Sequence, residues 1–336
     1  LCESFPTLFD LIDESETFEL DSVDKNDFQK VVDECYMCDL CYQTKCPYVP
    51  PHPWALDFPH LMLRGKAIAY QEKNKSLKQR ARDSALTSTD SLGKLMKLPL
   101  VDITYEAISK SPKARKIASK ITGVHEEAPW PNFEKSVKTY IPKSIENVTA
   151  TDKTTGKVAL FTGCYCRNND AELANDLLKV FEHNNIETRV ILDDKCCGMP
   201  KLDLGDLKSV ENLMKHNVPK LLQEIDEGFD IISLVPSCVL MFKQELPLLF
   251  DENDDLKKIK QHIFDPFEYL SDRESKGLMN KSFKNSLGKI AYQVACHQRV
   301  QNIGPKTKEL LEMVPDTEVQ AIERCSGHDG TYAVRE

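Results

Sequence analysis

The chain has 336 residues, enough for two domains with real cores, and its 41% hydrophobic and 29% charged content is that of an ordinary globular protein. No apolar run reaches the length of a membrane span, and twelve cysteines, two of them adjacent at Cys196 and Cys197, are too clustered for a disulfide framework. The net charge of −9 is uneven and nowhere interleaves aromatic with basic residues, which argues against a nucleic-acid surface.

Thiols held by metal in a reducing compartment fit this cysteine usage, with the cytoplasm as the default location. The opening residues carry no signal-peptide pattern, but the chain starts at Leu1 without a methionine and reads as a fragment cut short at both ends.

Residues 1–34 hold eleven acids against two bases, a solvated acidic face near a redox centre. The run CYMCDLCYQTKCP follows, with Cys35, Cys38 and Cys41 at intervals of three and Cys46 capped by Pro47. That is how a bacterial-ferredoxin segment wraps a [4Fe–4S] cube, each cysteine one helical step from the next. Zinc is the rival, but zinc sites pair two separated C-x₂-C knuckles, and no second knuckle follows nearby. Four residues separate Cys41 from Cys46 where the ferredoxin run has three. In two-cluster ferredoxins the fourth cysteine serves the other cluster. On that logic Cys2 closes an earlier run and is the fourth ligand beside Cys35, Cys38 and Cys41, while Cys46 belongs to a second cube whose other ligands lie elsewhere. The alternative is that Cys2 is a terminal free thiol.

Prolines 47, 50, 51 and 53 end the thiol-bearing helix, and His52 and His60 read as exposed loop histidines. From Leu63 to about Ile121 the pattern is helical and basic; residues 64–120 carry fourteen bases against five acids. Such helices form either the wet face of a connector or a surface that lies on an anionic membrane. Residues 125–155, rich in Pro, Lys and Thr, read as a linker.

Beyond the linker the period changes. KVALFTGC (157–164) predicts a strand, residues 170–184 a helix, TRVILDD a strand leading to CCGMP, residues 205–225 a helix, and DIISLVPS a third strand ending at Cys238. Strand and helix in alternation argue a parallel α/β unit. KIAYQVACH (289–297) then echoes KVALFTGC, and Cys325-Ser326-Gly327 echoes Cys196-Cys197-Gly198, with 28 residues between Cys296 and Cys325 against 31 between Cys164 and Cys196. The second copy stops at Glu336. Cys164, Cys196, Cys197, Cys238, Cys296 and Cys325 all fall just after predicted strands, the edge where parallel sheets collect ligands. Gly163, Gly198 and Gly327 let the backbone turn closely around a bulky inorganic core. Cys166 reads as a spare thiol on a first helical turn.

With CCG at 196–198, VPSCVLMFKQELP, ERCSGHDGTYAV and CYMCDLC…CPYVPPHPWALDFPHLMLRGK, the chain resembles the cysteine-rich CCG family. That family includes iron–sulfur subunits of heterodisulfide reductase, glycolate oxidase and anaerobic glycerol-3-phosphate dehydrogenase. The resemblance implies an α+β multidomain fold. Residues 1–75 would be a helical ferredoxin-like [4Fe–4S] domain truncated at its start, and 76–155 a basic helical connector and linker. Residues 156–285 would be the first CCG unit, and 286–336 a second, incomplete one, both with parallel sheets.

It also implies two cubane [4Fe–4S] clusters in the intact protein, one of them completable here, and a further non-cubane [4Fe–4S] cluster on Cys164, Cys196, Cys197 and Cys238 with help from Cys296 or Cys325. The family motif ends C-x-x-C, whereas this chain has Met241 in place of a fifth thiol, and Ser326 stands where a second cysteine pair would be. His297 and His328 are the candidates for delivering a proton at the site, and Arg167 and Arg299 read as surface ion-pair residues.

The function implied is an iron–sulfur electron-transfer subunit of an oxidoreductase, at the cytoplasmic face of the inner membrane if peripherally associated. It would relay electrons from a flavin-containing dehydrogenase or other redox subunit to a quinone or disulfide acceptor. The alternatives are a disulfide or thiol reductase centre of the heterodisulfide reductase type, and a non-catalytic relay or sensor for an oxidative-stress enzyme. No dinucleotide Gly-rich fingerprint is present, so hydride chemistry belongs to another chain.

Overall fold

A computed structural model describes residues 2–41, 46–72, 76–128, 130–134, 140–145, 147–251 and 253–324. Helices α1 (Ser4–Asp13) and α2 (Phe28–Asp33) precede the cysteine run. The first part of the run is not helical: α2 ends at Asp33, and residues 35–39 form an irregular loop in which Met37 and Asp39 take φ of 53° and 56°. These left-handed residues, one apart, curl the chain where the sequence spacing predicts helical steps. After the proline-rich turn, α3 (Phe58–Gln71) opens with Asp57 as its cap, accepting the His60 N–H at 3.2 Å.

The basic stretch is a layer of four further helices, α4 (Leu77–Thr87), α5 (Thr89–Met96), α6 (Pro99–Lys110) and α7 (Pro112–Thr122). Pro99 and Pro112 each start a helix, where the missing N–H costs nothing. Among the described residues, no helix is long and apolar enough to cross a membrane.

The α/β unit follows in the expected order: β1 (Lys157–Leu160), α8 (Gly163–Asn168), α9 (Ala171–His183), β2 (Glu187–Val190), α10 (Met199–Asp203), α11 (Leu207–Asp226) and β3 (Asp230–Ile232). The strands are shorter than the apolar runs suggest. Next come α12 (Pro236–Leu240), a π-helical turn (Met241–Glu245), α13 (Leu246–Leu249), α14 (Asp254–His262), β4 (Ile263–Phe264) and α15 (Pro266–Ser275). The sheet order is β2-β1-β3-β4, all parallel, with Ala159 opposite both Arg189 and Ile231. A second parallel pair, β5 (Gly288–Gln293) and β6 (Thr317–Ile322), is joined through α16 (Cys296–Arg299) and α17 (Lys306–Leu311).

Strand side chains alternate between two faces. Val158, Leu160 and Ile232 enter one apolar cluster with Leu178 and Phe181 of α9 and Tyr269 of α15. Ala159, Phe161 and Ile231 enter another, shared with α11, α12 and the π-helical turn. Val31, Val32, Cys35, Met37, Met62 and Leu63 belong to that second cluster, so the cysteine run and α3 are packed into the core beneath the sheet.

Gly205 makes this approach possible. It has φ +79°, and a Cβ there would stand 2.5 Å from the carbonyl carbon of Lys66 in α3. Gly205→Ala is therefore expected to destabilise the protein by about 2–4 kcal/mol, from the left-handed backbone and the backbone clash together. Denaturant unfolding reads this directly, and a loss under about 0.5 kcal/mol would show that α3 is not seated there.

Candidate functional site

The cysteine run wraps a largely buried thiol. Burial pushes Cys35 up to about 11, opposed by the Lys66 ammonium, while the Cys2 thiol is near enough to push it up further. Lys66 reaches in from α3, donating to the Cys35 carbonyl at 2.6 Å and pairing with Asp203 at 3.3 Å. Cys38 and Cys41 are partly exposed, and the Cys46 N–H donates to the Cys41 carbonyl at 2.9 Å. A cavity of about 170 Å³ lies beside Cys41 and Cys46, walled by Phe5, Val49, Phe58 and Leu61.

The second thiol group sits at the carboxyl edge of the four-stranded sheet. Cys164 follows β1, Cys196 and Cys197 follow β2, and Cys238 follows β3 on α12. Sγ of Cys164 and Cys196 are 3.8 Å apart, and Cys197 bonds to Cys196 and Cys238. Hydrogen bonds from Cys164 and Cys197 hold the Cys196 thiol well below the usual range, with the Thr89 hydroxyl and the Gly198 N–H acting in the same direction. Cys164 is raised first by its hydrogen bond to Cys196 and then by burial, and Cys197 by hydrogen bonds with Cys196 and Cys238 and then by burial. Cys166 is buried among apolar residues on the α9 side of the sheet and pushed up to about 12, with Cys238 the first of the nearby charges that raise it further.

One carboxylate shapes the loop after β1. Asp194 accepts the Gly163 N–H at 2.7 Å and the Thr162 hydroxyl at 3.0 Å, and pairs with Arg167 at 2.7 Å. Gly163 has φ +61°, and a Cβ there would meet Sγ of Cys238 at 3.4 Å.

These residues fit an iron–sulfur cluster better than a lone ion. Among the described residues, no three His, Cys, Asp or Glu side chains are gathered to grip a single metal. The 3.8 Å between Sγ of Cys164 and Cys196 would suit one tetrahedral zinc as well, so the distinction rests on the lack of a third gathered ligand among the described residues. The Thr89 hydroxyl is buried beside the thiols with no partner meeting hydrogen-bond geometry among the described residues, as a donor awaiting an acceptor would be.

Residues 158–243 match the family model described as a cysteine-rich domain, CCG. The chain carries a CCG cysteine-rich domain. An anaerobic glycerol-3-phosphate dehydrogenase subunit of Escherichia coli (strain K12) is 24% identical over 256 residues, 76% of this chain and 63% of that relative. A fumarate reductase (CoM/CoB) subunit of Methanothermobacter marburgensis is 26% identical over 179 residues, 52% of this chain and 33% of that relative. An uncharacterized iron–sulfur protein of Methanocaldococcus jannaschii is 26% identical over 176 residues, 52% and 32% of the two chains. The chain thus spans from about a third to under two thirds of these relatives. No solved structure matches it. It is similar to subunits of two oxidoreductases and to an iron–sulfur protein.

The CCG domain meets the cysteine run through buried polar groups. His297 on α16 donates from Nε2 to the Met37 carbonyl at 3.2 Å and accepts the Ser237 hydroxyl at Nδ1, 2.8 Å. Burial lowers it, so it is the neutral tautomer with both nitrogens engaged. Cys296 is partly exposed beside it, on a helix packed against α12. Cys325 and His328 lie outside the described residues.

His60 corrects its sequence reading. It is no exposed loop residue but lies in the first turn of α3, with Nδ1 2.8 Å from Asp57 and Nε2 3.0 Å from Glu245 of the π-helical turn. Burial, and after it the Glu245 charge, pushes the carboxyl of Asp39 in the cysteine loop well above the usual carboxylate range. Arg167 is an ion-pair residue as expected, bonded to Asp90 as well as Asp194, and Arg299 pairs with Glu323 at 3.1 Å. Sequence reasoning missed Lys66, Thr89, Asp90, Asp194 and Glu245. Only SerThrAsp at 88–90, a helix-start pattern, marks any of them.

Burial opposes the charge on His60, but hydrogen bonds to Asp57 and Glu245 and their charges raise it to about 10. Its folded value lies above its unfolded one of 6.5, so its stabilisation is complete below pH 6.5 and is lost as pH rises through about 10. His60→Gln should cost about 2–3 kcal/mol at pH 6 and much less at pH 10.5. Urea unfolding at the two pH values measures the difference, and an equal cost at both would refute the charged bridge.

Proposed function

We propose that the chain is an iron–sulfur electron-transfer subunit of an oxidoreductase, taking electrons from a flavin-containing dehydrogenase or other redox subunit and passing them to a quinone or disulfide acceptor at the CCG site. The observation that carries this reading is the packing of two separate thiol groups on one core, the cysteine run below the sheet and the CCG thiols at its carboxyl edge. When bound, iron–sulfur clusters supply one-electron redox steps at potentials set by charge, burial and hydrogen bonds to sulfur.

The chain's own residues divide that work. Cys35, Cys38 and Cys41, with Cys2 beside Cys35, would hold a cubane [4Fe–4S] cluster, and Cys46 would belong to a second. The Lys66 ammonium compensates negative charge at Cys35. Cys164, Cys196, Cys197 and Cys238 would hold the CCG cluster, with Asp194 and Arg167 fixing the loop that carries Cys164. His297 positions Met37 against α12 rather than moving a proton, since both its nitrogens are bound. The β5–β6 pair with Cys296 just after β5 supports the reading of residues 286–336 as part of a second CCG unit.

The depressed Cys196 thiol, 3.8 Å from Cys164, also favours a second reading, a centre for disulfide or thiol reduction. Peripheral membrane contact has support too: Leu100, Ile103, Ile117 and Ile121 are exposed on α6 and α7 among Lys110, Lys113, Lys116 and Lys120.

Iron and acid-labile sulfide counted per chain after anaerobic purification test the reading. Cys38→Ser should remove about four irons, and Cys197→Ser a separate set while sparing the first. Zinc without sulfide would sink the electron-transfer function.

A further inference from the structure

We propose that Thr89, in the connector, is a positioning residue of the CCG site: its hydroxyl donates a hydrogen bond to sulfur at Cys164 or Cys196 when these thiolates hold a cluster, and so raises that cluster's reduction potential. The proposal rests on the iron–sulfur reading above and extends it to a helix outside the family match, which begins at residue 158.

Three observations place the hydroxyl there. Thr89 Oγ1 is buried, and no group among the described residues meets hydrogen-bond geometry with it. It lies beside the sulfurs of both Cys164 and Cys196, next in chain to the Asp90 that holds the Cys196 N–H. Its position is also fixed. The next residue, Asp90, accepts the Cys196 N–H at 2.8 Å through one oxygen and pairs with Arg167 at 3.4 Å through the other. One turn on, Gly93 lies so close to α8 that a Cβ would fall on the Asn168 carboxamide. The start of α5 is thus bolted to the loops that follow β1 and β2.

A donor aimed at ligand sulfur stabilises the more negative, reduced state over the oxidised one, because the bond strengthens as charge on sulfur grows. Thr89→Val keeps the shape of the side chain and removes the donor, whereas Thr89→Ser keeps the donor and removes a methyl. The test is an EPR-monitored redox titration of the anaerobically purified protein, following the signal that Cys197→Ser abolishes, with iron counted in each variant.

The expected result is a lower midpoint potential in Thr89→Val at unchanged iron, with Thr89→Ser close to the parent. Loss of CCG iron in Thr89→Val but not in Thr89→Ser would also support the hydroxyl's role. A Thr89→Val midpoint equal to the parent's overturns the proposal and leaves the iron–sulfur function standing. So does a Thr89→Ser midpoint as low as that of Thr89→Val, which would assign the effect to packing. A parent protein without any signal that Cys197→Ser removes would overturn the iron–sulfur reading of the CCG site, and this proposal with it.

Discussion

Parallel pairing of β1 with β2 on one side and β3 on the other decides where the central thiols go, because strands running the same way deliver their following loops to one edge. Cys164, Cys196, Cys197 and Cys238 come from three separate loops and meet only there. The register matters as much as the direction. It sends Ala159, Phe161 and Ile231 toward the cysteine run, and Val158, Leu160 and Ile232 toward α9 and α15. A slip of one residue would exchange these faces and leave the run without its apolar floor. Asp194 completes the arrangement by using one buried carboxylate to hold the loop after β1 from three directions.

The two thiol groups are mechanically joined. Lys66 touches the cysteine loop at Cys35 and the CCG domain at Asp203, His60 touches Glu245, and His297 touches Met37. These contacts are polar yet lie against an apolar core, so each must stay satisfied or leave a buried group unpaired. Breaking the interface therefore loses both packing and hydrogen bonds at once. The π-helical turn at Met241–Glu245 has a place in this scheme, since it carries Glu245 to the cysteine loop directly after the helix that carries Cys238.

Much of the fold was legible because period and punctuation agreed. Helices α9 and α11 and strands β1, β2 and β3 fall where the apolar pattern puts them, and the cysteines mark the strand ends. The basic layer was legible as helix, but its division into four at Pro99 and elsewhere was not. What escaped were features without a local period. Strand β4 has two residues, too few for alternation to register. The curl of the cysteine loop depends on left-handed Met37 and Asp39, residue types that do not announce that conformation. Lys66, Thr89, Asp90 and Glu245 act across long stretches of chain, so only the folded structure shows what they touch. His60 was misread for the same reason: a histidine beside prolines looks like a loop residue until its partner 185 positions away is in place.

Charge gives the two groups a common logic. Thiols crowded in a low-dielectric interior resist joint ionisation, since each thiolate raises the next. The CCG group follows this pattern: hydrogen bonding lowers Cys196 and raises Cys164 and Cys197. Arg167, beside this group, is already matched by Asp90 and Asp194. At the cysteine run Lys66 offers one ammonium, itself shared with Asp203. A cationic core bound at either set would favour deprotonated thiols and release protons. The same thiols packed without any metal role would favour a neutral, apolar lining, yet here Asp194, Asp90, Arg167 and the buried Thr89 hydroxyl are gathered around them.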